Sequence, residues 1–563
     1  MNKTTKMKLS ACVATVIAGM LHSPLSLGSV TLDLNAKMTK MLGHAPEVTS
    51  VLEAQSQRLD RSEAKAQPWS GSYWPDINGG IANHYRDHGK LGAELNFMMR
   101  YNIAKARLNQ DHRQVVKKID KWDNEKINEK LSPAEKYDLL LGDLNFTFTN
   151  AVMDEADFRS KYRLTTKRAE SGDDQESEGD DNTSSYEDDL NTYSKFDDKI
   201  QYRYWRPKNG SLAYWSGICD GWSPASIYLP RPAKSVTVIG ALGHKITFFP
   251  DDLKALGSYL FARTNTPYFA TMDYQMAGRK CDPKGTPDQD ERGVVKDIRC
   301  NDLDPGVWHM ALINRIGKDR MGFVMDLDNN IKINNHPVAS YSVNYYNPAT
   351  GEDGNLKKSI VDISKVKDAY KFRRNAKAKY LVGVTSTVDF MYYIWPEQNK
   401  DETMDSSSKD KIKNKTYIYD LELDENYNIL GGEWGSRAKE NGSDVKYSEQ
   451  PDFIWMAAPQ NLPYSEMSIY ATAGVKKDIN NPRPFDNMNW AWDGKSALPG
   501  DWISAAKADM SWQAPIPGEK IEAADGSVDV APMEAKNGVL KSAQPLSHIV
   551  YFLFDKARNS TQK

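Results

Sequence analysis

The sequence predicts an α+β protein. A helix carrying a cysteine packs on an antiparallel sheet that carries a histidine and an acid. A helical region precedes this core and a β-rich extension follows it. Three observations predict this. The stretch Tyr214-Trp215-Ser216-Gly217-Ile218-Cys219-Asp220-Gly221-Trp222-Ser223-Pro224-Ala225-Ser226 is an aromatic-flanked loop that delivers Cys219 to the start of a helix. Beyond it, residues 235–239 and 245–249 are β-branched and aromatic runs flanking the turn Ala241-Leu242-Gly243-His244, the pattern of a hairpin. Later still, His309 and Asp326 each lie in an apolar run next to a turn, as strand-borne side chains do.

The elements follow in order. Residues 1–28 read as a secretory signal, with Lys3, Lys6 and Lys8 ahead of an apolar run over 9–21 and small residues at Ser26 and Gly28. That run is too short to span a membrane, and no later one is long and apolar enough. Residues 29–66 read as helical and polar with no long core face, a pro-like segment or docking extension. Residues 67–460 form the expected catalytic domain. It opens on the turn-rich Gln67-Pro68-Trp69-Ser70-Gly71-Ser72-Tyr73-Trp74-Pro75, then a helix over 94–122 spaced by Leu95, Met98, Met99 and Ile103. Ser132-Pro133-Ala134-Glu135 is an N-cap with Pro first and Glu third. Residues 170–190 are an acidic insertion, solvated by their own charge. After the hairpin, 251–261 read as a short helix, 379–396 and 416–434 as paired strands, and 398–415 as a surface loop between them. Residues 461–563 read as a β-rich extension, ending in the strand-like Ile549-Val550-Tyr551-Phe552-Leu553-Phe554.

With a formal charge of −3 over 563 residues, neither nucleic acid nor an anionic membrane is an expected partner. The chemistry points to the cysteines. The chain has four, of which Cys12 leaves with the signal. Cys281 and Cys300 bracket a polar loop and are the expected disulfide of an oxidising compartment. Cys219 is then the odd thiol, flagged as reactive. At a helix start, free N–H donors and the positive dipole end favour thiolate. A buried structural cysteine is the competing reading.

A thiol nucleophile needs a base. Asp304-Pro305-Gly306-Val307-Trp308-His309 reads as a turn releasing into a buried strand with His309 at its start. A hairpin around Gly317-Lys318-Asp319 then leads to Gly322-Phe323-Val324-Met325-Asp326, so Asp326 lies on the antiparallel neighbour, about 4.8 Å away, and can orient the imidazole. The order Cys219, His309, Asp326 suits a papain-like arrangement. Asp326, Asp328 and Asn330 alternate like the start of a calcium loop. Ile331 stands where an EF-hand needs Gly and no acid stands at the twelfth position, which argues against an EF-hand and leaves Asp328 and Asn330 as calcium candidates.

These residues resemble the secreted transglutaminase elicitors of oomycetes and their bacterial relatives. The resemblance rests on Tyr73-Trp74-Pro75 with Gly80-Ile81-Ala82, on Trp215 to Trp222, on Trp308-His309, Phe323-Val324-Met325-Asp326 and Gly431-Gly432-Glu433-Trp434, and on Pro451-Asp452-Phe453-Ile454-Trp455. Ile333-Asn334-Asn335-His336-Pro337-Val338 falls where that family carries a surface peptide recognised by host plants, with Asn334 replacing its Trp. The resemblance implies calcium-dependent acyl transfer from a protein glutamine to a lysine or other primary amine through a Cys219 thioester. Oxyanion donors are expected from the Cys219 N–H and from Trp205 or Trp215, with Trp222 in the aromatic wall. Two alternatives use the same residues differently: a cysteine protease or glutamine deamidase with water as acceptor, and a non-catalytic secreted surface protein.

Overall fold

The computed structural model describes residues 33–76, 79–83, 131–153, 163–165, 192–195, 201–205, 216–264, 276–278, 303–327, 333–368, 371, 373–396, 404–435, 450–456, 490, 492–509, 520–522, 528–530 and 547–558. The signal segment, the helix expected over 94–122, the acidic insertion, Trp215, Cys281, Cys300, Asp328 and Asn330 lie outside them.

The strands are β1 (Arg61–Glu63), β2 (Arg163–Thr165), β3 (Thr192–Lys195), β4 (Gln201–Trp205), β5 (Val236–Ile239), β6 (Lys245–Phe248), β7 (Met276–Ala277), β8 (Phe323–Asp326), β9 (Asn335–Tyr346), β10 (Asp353–Gly354), β11 (Ile360–Asp362), β12 (Tyr380–Tyr392), β13 (Lys411–Leu423), β14 (Ile429–Trp434), β15 (Ile454–Trp455), β16 (Lys520–Glu522) and β17 (Val528–Val530). The main sheet runs β14-β13-β12-β9-β8-β15-β7 and is antiparallel at every pairing. Its frame is the pair β12 and β13, in unbroken register from Tyr380 opposite Leu423 to Tyr392 opposite Lys411. Three short strands dock at its flanks: β1 and β10 on β9, and β11 on β12. The hairpin β5–β6, the sheet β2-β4-β3 and the pair β16–β17 stand apart.

Helices named below are α1 (Leu34–Leu42), α2 (Val51–Ser56), α3 (Pro133–Leu140), α4 (Cys219–Tyr228), α5 (Pro250–Thr264), α6 (Pro305–Ala311), α7 (Gly500–Asp509) and α8 (Ser547–Ala557). They cover the sheet on two faces, because side chains alternate along each strand. On β8, Phe323 and Met325 join the core beneath α6 and α1, whereas Val324 joins the core beneath α4 and α5. Neighbouring strands repeat this alternation, with Ile454 on the α6 side and Trp455 on the α4 side.

Local signals explain most helix starts. Ser132 Oγ accepts from the Glu135 N–H at 3.2 Å while Glu135 Oε2 accepts from the Ser132 N–H at 2.7 Å, the reciprocal box expected from that tetrapeptide. Asp304 caps α6, its carboxylate accepting from the Gly306 and Val307 N–H groups ahead of Pro305. A fully buried pair, Lys136 Nζ to Asp252 at 2.5 Å, ties α3 to the first turn of α5. The expected β5–β6 hairpin and the helix after it are both present.

Four expectations need correction. Residues 305–311 form a helix that continues into a π-helical turn at Leu312–Lys318, not a strand followed by a hairpin. The Asp-Pro-Gly sequence is a cap and first turn, and the apolar residues behind it are buried all round. The segment expected to be polar, residues 29–66, is not polar on every side where it is described. Leu34, Met38, Met41 and Leu42 of α1 are buried beside α6, and β1 pairs with residues 340–342 of β9. Lys411 to Lys415 begin a strand, not a loop. The C-terminal extension is not β-rich among its described residues: α7 and α8 are its main elements, and Ile549 to Phe554 are helical and wholly buried. An unbroken apolar run cannot distinguish a buried strand from a buried helix. Packing decided it here, with Phe552 against Trp492 at 4.6 Å and Trp502 against His548 at 4.4 Å between ring centroids.

Candidate functional site

Cys219 is the first residue of α4 and the free cysteine of the described residues. Its loop is held by the extended chain over 69–76. The Ile218 N–H donates to Tyr73 O at 2.7 Å, the Asp76 N–H to Ser216 O at 3.0 Å, and Ser216 Oγ to Asp76 Oδ2 at 2.7 Å. The glycines serve close approach. A Cβ on Gly217 would collide with Tyr73 O, and one on Gly221 would collide with Ser258 O of α5. Pro224 stands inside α4 instead of in its first turn, where it cannot donate to the Asp220 carbonyl.

Two residues touch the sulfur, Ile333 through its carbonyl and Asn335 through both its side-chain amide and its backbone N–H. Cys219 Sγ lies 3.8 Å from Ile333 O, which accepts from the thiol, and 3.5 Å from Asn335 Nδ2, which donates to it. The Asn334 N–H of the same peptide group that presents Ile333 O donates to Asp326 Oδ1 at 2.7 Å. Asp326, the last residue of β8 and opposite Asn335, therefore acts on the thiol through one peptide plane. This environment favours the protonated sulfur. Burial first, then the Asp220 carboxylate, push the Cys219 thiol up to about 11, with Asp326 adding to the rise and Asn335 opposing it. The expected thiolate at a helix start is outweighed by desolvation.

The structure brings Cys219 and Asp326 to the α4 side of the sheet and does not bring His309 there. His309 is fully buried in α6, with Nδ1 at 2.8 Å from the Tyr419 hydroxyl on β13 and no partner for Nε2 among the described residues. Tyr419 belongs to the core beneath α6, so the sheet stands between the imidazole and the thiol. Burial lowers His309 to about 4, leaving it neutral.

Trp222 is fully buried and its Nε1 donates to Trp69 O at 3.3 Å, so it is a packing residue and not a free donor. Trp205 ends β4, with its Cα opposite Arg163. Asn335 and His336, expected in a surface peptide, are buried. His336 Nδ1 lies 3.0 Å from Met391 O, and the ring stacks on Tyr392. Asn335 was missed because nothing in a lone Asn before His-Pro marks a thiol partner; only the fold brings it to α4.

Among the described residues, no group of three or more His, Cys, Asp or Glu side chains is arranged to hold a metal ion. The calcium candidates Asp328 and Asn330 lie outside the described residues. No described helix is long and apolar enough to cross a membrane.

A largely buried free thiol at a helix start, facing an antiparallel sheet, defines the class: a mixed helix-and-sheet protein with a candidate cysteine nucleophile. The profile of the transglutaminase elicitor family matches residues 117–476, which include Cys219, Asp326 and Asn335. The chain belongs to the transglutaminase elicitor family. The crystal structure of the GP42 transglutaminase from Phytophthora sojae is similar at 21% identity and a TM-score of 0.40, covering 76% of this chain and 92% of that one. No curated protein matches the chain.

Proposed function

We propose that the protein is a secreted protein-glutamine γ-glutamyltransferase with Cys219 as its nucleophile. The match of the family profile across residues 117–476, which include this thiol, carries the reading. The sulfur attacks the γ-carboxamide carbon, a C–S bond forms, and the C–N bond breaks. Ammonia leaves with the thiol proton. A primary amine then attacks the thioester, its nitrogen bonds to the acyl carbon, the C–S bond breaks, and the proton the amine sheds returns to sulfur. The Cys219 N–H, at the open first turn of α4, is the proposed oxyanion donor. His309 is not assigned as the base, because its ring points into the opposite core. No step is routed through calcium.

Because the resting thiol is pushed up to about 11, the rate of amine incorporation rises as pH is raised from 7 to 9. The test pairs the mature protein with a glutamine-containing protein and a labelled primary amine, beside Cys219→Ala. Incorporation lost in Cys219→Ala supports the reading. Ammonia release without incorporation makes the protein a deamidase, and new peptide fragments make it a protease.

A further inference from the structure

Asn335 is fastened at three points. Its backbone carbonyl accepts from Ser223 Oγ at 2.8 Å, one turn beyond Cys219 on the same helix. Its side-chain nitrogen touches Cys219 Sγ, and its side-chain oxygen accepts from Trp455 Nε1 at 3.2 Å. The tryptophan contact fixes which end of the amide faces the sulfur. An indole nitrogen only donates, so a flipped amide would set two donors against each other and turn an acceptor toward the thiol. Trp455 is itself buried and held in β15 between β7 and β8.

We propose that the Asn335 side-chain amide, oriented by Trp455, joins the backbone N–H of the same residue as a hydrogen-bond donor that holds negative charge on the Cys219 sulfur. The acceptor and the donors around the sulfur respond to ionisation in opposite senses. Ile333 O accepts from the neutral thiol and repels the anion; Asn335 Nδ2 donates more strongly once the sulfur is charged. The carboxylates acting on this group are Asp220 on its own helix and Asp326 on β8, and both oppose ionisation. Asn335 is the neighbour that counters them. This rests on Cys219 being the nucleophile, but its test reads the thiol directly and does not need turnover.

The experiment follows iodoacetamide alkylation of the Cys219 peptide by mass spectrometry in the full mature chain, in brief exposures from pH 7 to 12.5 that pass the midpoint, for wild type, Asn335→Ala and Trp455→Phe. Thermal unfolding confirms that each variant is folded. In Asn335→Ala the alkylation midpoint moves up in pH, and alkylation below it slows about three- to tenfold. Trp455→Phe, which keeps an aromatic ring and removes the N–H, shifts the profile in the same direction by less. A purely structural role changes accessibility, and so scales the rate equally at every pH. An unmoved midpoint in folded Asn335→Ala overturns the proposal. If wild type shows the expected profile yet incorporates no amine, the transferase reading fails while the role of Asn335 at the thiol stands.

Discussion

Asp304 shows how a single residue serves two ends at some cost. It caps α6, yet burial and the nearby Glu422 carboxylate push it up to about 7. In the unfolded chain it ionises near 3.8. The native state therefore retains a proton that the unfolded state has lost, and stability falls as pH rises from about 4 to 7. Asn caps equally well and carries no charge. Asp304→Asn is expected to be neutral near pH 4 and to stabilise by about 1–2 kcal/mol at pH 8, read from thermal unfolding at both pH values. His309 has the opposite sign. Held neutral down to about 4, it lets the unfolded state bind protons first, so its contribution is present above about pH 6.5 and is lost as pH falls toward 4. His309→Gln should flatten that acid limb; a limb as steep as in wild type would mean that His336 and His548, lowered to about 4 and 3, carry it instead.

The contact between α4 and α5 sets the position of the nucleophile. Gly221 lets the two helices meet at backbone distance, since a Cβ there would collide with Ser258 O and lie 2.7 Å from the Ala262 nitrogen. Gly221→Ala must push the helices apart and is expected to cost about 3 kcal/mol, measured by denaturant unfolding. Elements announced by local chemistry were legible in the sequence. The capping box at Ser132, the β5–β6 hairpin, α5 and the Cys219 helix start all follow from residues a few positions apart. Elements decided by burial were not. The helix at 305–311 is buried all round and the helix at 547–557 carries the unbroken apolar run 549–554, so no period marks them. Placement within the site divided in the same way. Cys219 stands at the helix start its own loop predicts and Asp326 at the end of the strand its apolar run predicts. Asn335 lies 116 positions from Cys219, and only the placement of β9 beneath α4 joins them.

At the scale of the molecule, the C-terminal residues complete the core behind the candidate nucleophile. Phe554 of α8 is fully buried and packs close to Gly257 of α5, the helix against which α4 rests. Phe554→Ala should cost about 3–4 kcal/mol, seen as a lowered melting temperature of the whole transition instead of a separate early step. A chain ending before residue 547 should be recovered aggregated or unfolded, because it would expose the apolar face that α8 covers. A separable extension would leave melting unaltered in both variants.

The three residues of β1 have an effect out of proportion to their length. They satisfy the backbone of Ser340, Tyr341 and Ser342 on the side of β9 that β8 leaves open beyond Val338. A cut after Ala66 would thus uncover a flat strand margin with unmet N–H and C=O groups, in the strand whose first residue touches the thiol. Trimming the amino-terminal segment would act less as removal of a plug than as unzipping of a seam, inviting copies of the chain to pair through the exposed margin.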